Sequence, residues 1–135
     1  MTIVVDASVA LKWILPEDGS DLADALLSQD IIAPSFWLTE AANALWRNVQ
    51  MKKLKSQEAS FLLQELLNAP VVSVSTHDEL PHALVLANEL AHPVYDCVYL
   101  ALALRENIDV VTADRRFAAL ASRRADLRDR IRLLI

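Results

Sequence analysis

Glycine and cysteine are scarce in this chain of 135 residues, and their scarcity excludes several kinds of site. A single Gly stands against five Pro, so no GxGxxG or Walker-type loop, in which backbone approaches phosphate closely, can be built. The single Cys97 excludes an intrachain disulfide, and one Cys with three scattered His residues offers no convincing zinc site. Any metal site is therefore expected to use carboxylates.

Long apolar runs are also lacking, although hydrophobic residues make up 54% of the chain. That share is ample for the core of one ordinary domain, which we expect to span residues 1–135. The longest uncharged apolar stretch, residues 97–104, is too short to cross a bilayer. We therefore expect a soluble, cytoplasmic protein.

Negative charge predominates, with a net charge of −5, but it is distributed unevenly. Residues 115–135 hold seven Arg and two Asp, which leaves six basic and sixteen acidic residues in 1–114. Because Arg recognises phosphate through paired hydrogen bonds, the basic end is a candidate nucleic-acid contact. A solvated amphipathic helix would explain the same residues, and the acidic excess argues against a general DNA-binding surface.

Short β-branched runs alternate with helical patterns along the chain. Strands are predicted at residues 2–5, 31–33, 71–74, 109–112 and 131–135, and helices at 7–15, 21–28, 34–51, 56–67, 76–90, 94–106 and 115–124. The predicted helix caps are Asp18 or Ser20, Ser56, and a capping box from Thr76 to Glu79. The alternation predicts an α/β fold with a mainly parallel sheet of four to five strands.

The first and fourth predicted strands both end in a carboxylate. Asp6 follows the first, with Ser8 two residues on, and Asp114 follows the fourth. If these strands are neighbours, their carboxyl ends flank the crevice where open α/β sheets place their chemistry. The alternative is that each Asp only caps the helix that follows it.

Two further carboxylates stand alone in apolar helices. Glu40 is the only charged residue in 31–46, and Asp96 is the only one in 90–104. A lone carboxylate costs several kcal/mol if it is buried without a partner, so Asp96 needs a cation, a hydrogen-bond network or a metal. Beside Glu40, the polar residues Ser35, Thr39, Asn43 and Arg47 follow at steps of four and form one stripe. Such a stripe is usually just the solvent-facing side of a helix, but the sparsity of charge around Glu40 makes this one more informative.

Four carboxylates in one crevice would repel one another and raise some pKa values unless a divalent cation neutralised them. Oxygen-only ligands favour Mg²⁺ or Mn²⁺. Such a site activates a water and stabilises charge on a phosphodiester. The chemistry indicated is metal-dependent phosphodiester hydrolysis.

Four segments, in order and over nearly all of the chain, resemble PIN-domain proteins, particularly the VapC toxins of bacterial toxin–antitoxin pairs. The segments are residues 4–8 (VVDAS), Pro34 with 40–45 (EAANAL), 95–101 (YDCVYLA) and 111–117 (VTADRRF). The resemblance implies a three-layer α/β/α fold and a Mg²⁺- or Mn²⁺-dependent endoribonuclease. It also implies a homodimer neutralised by a cognate VapB-type antitoxin.

Carried over by position, the resemblance assigns catalytic and metal-binding roles to four acids and supporting roles to two hydroxyls. The acids are Asp6, Glu40, Asp96 and Asp114, and the hydroxyls are those of Ser8 and Thr112. Some relatives carry a further acid shortly after the fourth one, where Arg115 and Arg116 stand here. The number of metal ions therefore stays open.

Three functions from different classes are compatible with these residues. They are a toxin ribonuclease, a PIN-fold module that binds RNA without cutting it, and a haloacid-dehalogenase-like phosphotransferase with Asp6 as nucleophile. The phosphotransferase needs a second Asp two residues after Asp6, where Ser8 stands. A silent module would be expected to have lost an acid, and none is missing.

Basic residues near the proposed pocket are the candidates for RNA contact. Arg115 and Arg116 come first, and Lys52, Lys53 and Lys55 are poorer candidates because loop lysines are commonly just solvated. The alternative is that both arginines pair with Asp126 or Asp129.

Aromatic residues are concentrated in the first half of the chain, and interfaces are rich in them. They are Trp13, Phe36, Trp37, Trp46 and Phe61. We therefore expect a homodimer, with an antitoxin segment packed near the helix of residues 35–51 and a basic side chain placed among the four acids.

Overall fold

Five parallel strands form the central sheet of the protein, whose computed structural model describes residues 1–134. The strands are β1 (Thr2–Val5), β2 (Asp30–Pro34), β3 (Val71–Val74), β4 (Val110–Thr112) and β5 (Ile131–Leu133). Their order is β3-β2-β1-β4-β5, and every pairing is parallel. The predicted parallel sheet is confirmed, while Ile135 of the predicted fifth strand lies outside the described residues.

Seven α-helices accompany the strands within residues 1–134. They are α1 (Ala7–Ala10), α2 (Ser20–Ala25), α3 (Trp37–Gln50), α4 (Ser56–Leu67), α5 (Leu80–Leu90), α6 (Val94–Glu106) and α7 (Arg115–Ala118). None of these helices is both long and apolar enough to cross a membrane.

Side chains alternate along β1 between two hydrophobic cores, one on each face of the sheet. Val4 packs into the larger core with residues of α3, α5 and α6. Ile3 and Val5 pack on the opposite face with Ala23 of α2. Helices therefore cover both faces, and the three-layer α/β/α prediction is confirmed.

Helix α6 is the most deeply buried of the described helices. Residues 97–103 are all buried, and the helix packs against β1, β2 and β4. Near its end Arg105 forms an ion pair with the buried carboxylate of Glu79, just before α5. A helix held this firmly gives the side chains of its first turns fixed positions.

The details of several predicted helix starts are wrong. Pro34 ends β2 instead of opening α3; the pairing of β2 with β1 stops at Ile32, so at Pro34 the strand has a neighbour only on the β3 side, as an edge strand does. Gly19, at φ 86°, precedes α2 in place of an Asp18 or Ser20 cap, and Lys55 takes the cap position before Ser56.

The capping box predicted from Thr76 to Glu79 does not form. No side chain caps at Thr76, and residues His77–Glu79 make a 3₁₀ turn before α5. The buried Glu79 carboxylate pairs with Arg105 instead, because a cation compensates its charge better than a backbone N–H group would.

Three predicted helices are shorter than expected. The helix predicted at 21–28 is α2, which ends at Ala25 and is followed by a 3₁₀ turn from Leu26 to Ser28. The helix predicted at 7–15 is α1 followed by a 3₁₀ turn from Leu11 to Trp13, and the one predicted at 115–124 is α7 followed by 3₁₀ turns.

Strands β1 and β4 are neighbours at the centre of the sheet, which is the condition under which Asp6 and Asp114 are expected to flank one crevice. Beyond the end of β1, the Asp6 N–H donates to the Val111 carbonyl at 3.3 Å. From β1 the chain goes on to β2 on one side of the sheet, and from β4 it goes on to β5 on the other side. The carboxyl ends of β1 and β4 therefore flank the switch point of the sheet.

Candidate active site

A pocket of about 530 Å³ opens at this switch point. The four acids expected from the sequence, Asp6, Glu40, Asp96 and Asp114, all line it. They come from the end of β1, the first turns of α3 and α6, and the position before α7. Residues far apart in sequence are thus collected at one edge of the sheet.

Asp6 lies at the base of the pocket and is only 5% exposed. Its Oδ1 accepts from Ser8 Oγ at 2.5 Å and from the Val9 N–H at 3.3 Å, and its Oδ2 accepts from Thr112 Oγ1 at 2.5 Å. Burial outweighs these hydrogen bonds and raises the pKa of Asp6 to about 7, with a smaller contribution from Asp96. Asp6 is therefore both the cap of α1 and a pocket acid.

The hydroxyls of Ser8 and Thr112 connect Asp6 to the chain that follows β4. Ser8 Oγ accepts from the Ala113 N–H at 2.9 Å, and Thr112 Oγ1 accepts from the Asp114 N–H at 3.0 Å. Each hydroxyl thus donates to Asp6 while it holds the backbone beside Asp114. The supporting role that the resemblance assigns to both hydroxyls stays a prediction.

Glu40 is held by Tyr99, a residue that the sequence analysis did not assign to the site. The Tyr99 hydroxyl, on a fully buried side chain, donates to Glu40 Oε1 at 2.6 Å. Burial raises the pKa of Glu40, the Tyr99 hydrogen bond opposes that rise, and the charge of Asp96 adds to it. The available signal was spacing, because Tyr99 lies three residues after Asp96 on the same side of α6.

Asp96 is held by His92, which the sequence analysis treated only as one of three scattered histidines. His92 Nε2 hydrogen-bonds to Asp96 Oδ2 at 2.6 Å. Burial raises the pKa of Asp96, His92 opposes the rise, and Asp114 adds to it. The expected partner of this lone carboxylate is thus an imidazole four residues earlier, a spacing that was visible in the sequence.

Asp114 caps the helix that follows it. Its Oδ1 accepts from the N–H groups of Arg116 at 2.8 Å and Phe117 at 3.4 Å. The capping interpretation and the pocket interpretation therefore hold together for Asp114, as they do for Asp6.

Arg115 and Arg116 are exposed on the first turn of α7 and do not line the pocket. Within residues 1–134 neither pairs with Asp126 or Asp129, so that alternative is wrong; Asp126 pairs with Arg124 at 2.7 Å. The charge of Arg116 still lowers the pKa of Asp96.

The donor chemistry of the pocket fits a hard divalent cation. Among the described residues, Glu40, Asp96 and Asp114 each accept hydrogen bonds on one oxygen and keep the other free. As the side chains stand, no three His, Cys, Asp or Glu residues within 1–134 are close enough to hold a metal ion between them. Like charges repel, which disfavours contact between these carboxylates, and a cation placed between them would favour a closer approach.

The polar stripe of α3 forms one wall of this pocket. Thr39, Asn43 and Arg47 line it, whereas Ser35 does not. All three residues are exposed, so the solvent-facing side of α3 is at the same time a wall of the pocket. Phe36 and Tyr95 line the pocket as well.

Parallel strands, helices on both faces and an acidic pocket at the switch point are the features expected from the family resemblance. The model of the PIN domain matches residues 3–123, and the chain belongs to the PIN-domain family.

Among curated proteins, the chain is similar to Ribonuclease VapC3 of Pyrobaculum aerophilum. The two are 34% identical over 122 residues, which cover 87% of this chain and 93% of the relative. The predicted resemblance to VapC-type proteins is thereby confirmed, and the phosphotransferase alternative gains no support.

A solved structure shares the fold. The crystal structure of PAE2754 from Pyrobaculum aerophilum aligns with a TM-score of 0.71 and 24% identity, over 88% of this chain and 86% of that one.

Removing the Asp6 charge should stabilise the metal-free protein at alkaline pH. Between pH 3.8 and about 7 the unfolded chain loses this proton while the folded chain keeps it, so the free energy of unfolding falls as pH rises. We expect Asp6→Asn to raise that free energy by up to about 4 kcal/mol at pH 8 and to have little effect near pH 4. Denaturant titration in chelator, with exposed Asp24→Asn as control, measures the difference. Equal effects of Asp6→Asn at both pH values would contradict the prediction.

Proposed function

We propose that this protein is a VapC-type toxin that hydrolyses RNA phosphodiester bonds with Mg²⁺ or Mn²⁺ and is neutralised by a cognate antitoxin. The observation that carries the proposal is the lining of one pocket by four carboxylates from four separate elements. Similarity to Ribonuclease VapC3 supports RNA as the substrate. The proposal takes residues 1–135 as one PIN domain that acts in the cytoplasm, where its substrate is found.

In this proposal Asp6, Glu40, Asp96 and Asp114 are the catalytic and metal-holding residues. A bound divalent cation supplies an activated water and stabilises charge on the phosphate. Ser8 and Thr112 hold Asp6. Tyr99 holds one oxygen of Glu40, and His92 holds one oxygen of Asp96. These contacts limit the rotation of three carboxylates, so metal binding would require the acids to move closer together but would require little reorientation of each one.

The electrostatics of the pocket favour a cation. Burial raises the pKa of Asp6, Glu40 and Asp96, so their ionised forms are poorly stabilised by the protein alone. A divalent cation would restore the stabilisation that the carboxylates lose when they leave water.

Asp6→Asn and Asp96→Asn should each abolish metal-dependent RNA cleavage while the fold survives. Each change removes a charge without altering side-chain volume much, and Asn still caps α1 at position 6. Cleavage of an RNA panel measures activity, circular dichroism measures folding, and Asp24→Asn controls for loss of an acid elsewhere. Cleavage retained in both pocket variants would contradict the site assignment.

The same panel tests the alternative of a silent RNA-binding module. RNA binding without cleavage by the unmodified protein, at any Mg²⁺ or Mn²⁺ concentration, would favour that alternative.

Mg²⁺ or Mn²⁺ should raise the melting temperature. A ligand at one hundred times its Kd stabilises the folded state by about 2.7 kcal/mol. The Asp96→Asn variant should lose most of this shift and Asp24→Asn should keep it, as measured by thermal scans over a metal titration. A melting temperature that stays constant across the titration would count against the metal site.

Partner binding is proposed on the side of α3 and α4. Trp46 and Phe61 are 56% and 64% exposed, whereas Trp37 is buried and Trp13 and Phe36 are partly buried. A groove of about 250 Å³ between α3 and α4 includes Trp46 in its lining. Exposed aromatic residues are typical of interface centres, which supports a homodimer and an antitoxin segment near α3.

The antitoxin should compete with metal, because a basic side chain among the four acids would satisfy the charge that a metal ion satisfies. Inhibition at several Mn²⁺ concentrations, with metal occupancy followed by electron paramagnetic resonance, tests this. Inhibition with metal occupancy unchanged would exclude a basic side chain among the four acids.

Light scattering tests the proposed homodimer, and a monomer at high micromolar concentration would contradict it.

A further inference from the structure

The pocket extends along α3 well beyond the four acids. Phe36 precedes the first residue of α3 and Arg47 lies in its last turn, and both line the pocket together with Glu40 and Asn43 between them. Arg47 lies eleven residues after Phe36, which corresponds to about 16 Å along a helix axis. The cavity is therefore a groove that passes over the acids and is long enough for more than one phosphate group.

Arg47 is the only Lys or Arg that lines this groove within the described residues. Its side chain is exposed and forms no ion pair within residues 1–134, although four carboxylates line the same groove. It follows Glu40 by seven residues, about 10 Å along the helix. A guanidinium in the last turn also interacts favourably with the helix dipole, but that role does not require a position in the groove.

Tyr95 lies toward the other end of the groove, next to Asp96, and is 61% exposed. Its ring packs edge-to-face against Phe36 with centroids 5.9 Å apart, and Phe36 packs similarly against buried Tyr99 at 5.4 Å. Three aromatic rings in contact thus anchor an exposed ring to the core. An exposed ring held in this way provides a surface on which a nucleobase can stack.

We propose that the groove along α3 binds a single strand of RNA across the four acids, with Arg47 contacting a backbone phosphate on one side of the cleaved bond and Tyr95 stacking on a base on the other side. The inference rests on the proposed function and describes how that site holds its substrate. Helix α3 places Arg47 and Tyr95 on opposite sides of the acids. Arg47 follows Glu40 along the helix, whereas Phe36, which packs against Tyr95, precedes it. The stacked base must be unpaired, since a base within a duplex exposes no face.

Arg47→Gln tests the phosphate contact through the salt dependence of binding. The probe is a fluorescein-labelled, mixed-sequence single-stranded RNA, and anisotropy is measured with all four acids intact and with Ca²⁺, another oxygen-binding divalent cation, in place of Mg²⁺ to suppress cleavage. We expect Arg47→Gln to weaken binding about tenfold and to reduce the slope of log K against log salt by about one.

Arg128→Gln is the matched control for the charge. Arg128 is exposed and forms no ion pair within residues 1–134. It precedes β5, so it lies at the edge where the parallel strands begin, whereas the groove lies at the edge where they end. This variant loses the same charge and should keep the salt slope. A slope unchanged by Arg47→Gln, or reduced equally by Arg128→Gln, overturns the phosphate contact. The phosphate contact is also overturned if the double variant Arg115→Gln, Arg116→Gln reduces the salt slope and Arg47→Gln does not.

Tyr95→Leu tests the stacking contact. An RNA probe with 2-aminopurine at each position in turn should show quenching on binding at a position beside the cleaved bond. Tyr95→Leu should abolish that quenching and weaken binding about tenfold, and Tyr95→Phe should restore both because it keeps the ring. Quenching that is unchanged in Tyr95→Leu overturns the stacking contact.

Cleavage by the same variants in the otherwise unmodified protein separates this inference from the proposed function. RNA that is bound through Arg47 and Tyr95 but never cut contradicts the ribonuclease and supports the groove. RNA that is cut with the same KM by Arg47→Gln, Tyr95→Leu and the unmodified protein contradicts the groove alone. RNA that is neither bound nor cut contradicts both.

Discussion

The buried carboxylate of Asp6 is the constraint on which the candidate site depends. Placing this group at the junction of β1 and β4 removes it from water, and the two hydroxyl donors and one backbone donor offset only part of that cost, so its pKa is raised to about 7. The same hydroxyls accept hydrogen bonds from the backbone after β4. A costly charge and the geometry of the switch point are therefore coupled, and disturbing either affects the other.

Helix α6 extends this order to the rest of the pocket. Its burial against three strands fixes the positions of Tyr99 and Asp96. Tyr99 in turn orients Glu40, and His92, just before the helix, orients Asp96. Each of these contacts uses one carboxylate oxygen and leaves the other available. One buried and two partly buried acids with raised pKa values form a site that is poorly stable when fully ionised and that the proposed divalent cation would stabilise.

The sheet was predictable because its signals are local: β-branched runs alternate with helical patterns, and Asp6 and Asp114 follow two of the runs. The parts that failed depend on contacts distant in sequence. The capping box was lost because Glu79 pairs with Arg105, twenty-six residues away. Tyr99 reaches Glu40 only after folding brings α3 and α6 together. The orientation of the α3 stripe was likewise undetermined, since periodicity identifies one side of a helix without saying what that side meets.

Charge distribution imposes a further condition on any RNA-binding role. The chain carries a net charge of −5 and the pocket holds four carboxylates, so the bare pocket repels the polyanion on which it is proposed to act. The proposed divalent cation would reduce this repulsion locally, because its two positive charges would offset part of the negative charge of the pocket and attract one phosphate. The neighbouring phosphates still lie close to acids. Cationic side chains in such a pocket are therefore most useful at its ends, where they attract flanking phosphates without neutralising the carboxylates that hold the metal. Arg47, two turns of α3 beyond Glu40 and not paired with it, occupies such a position.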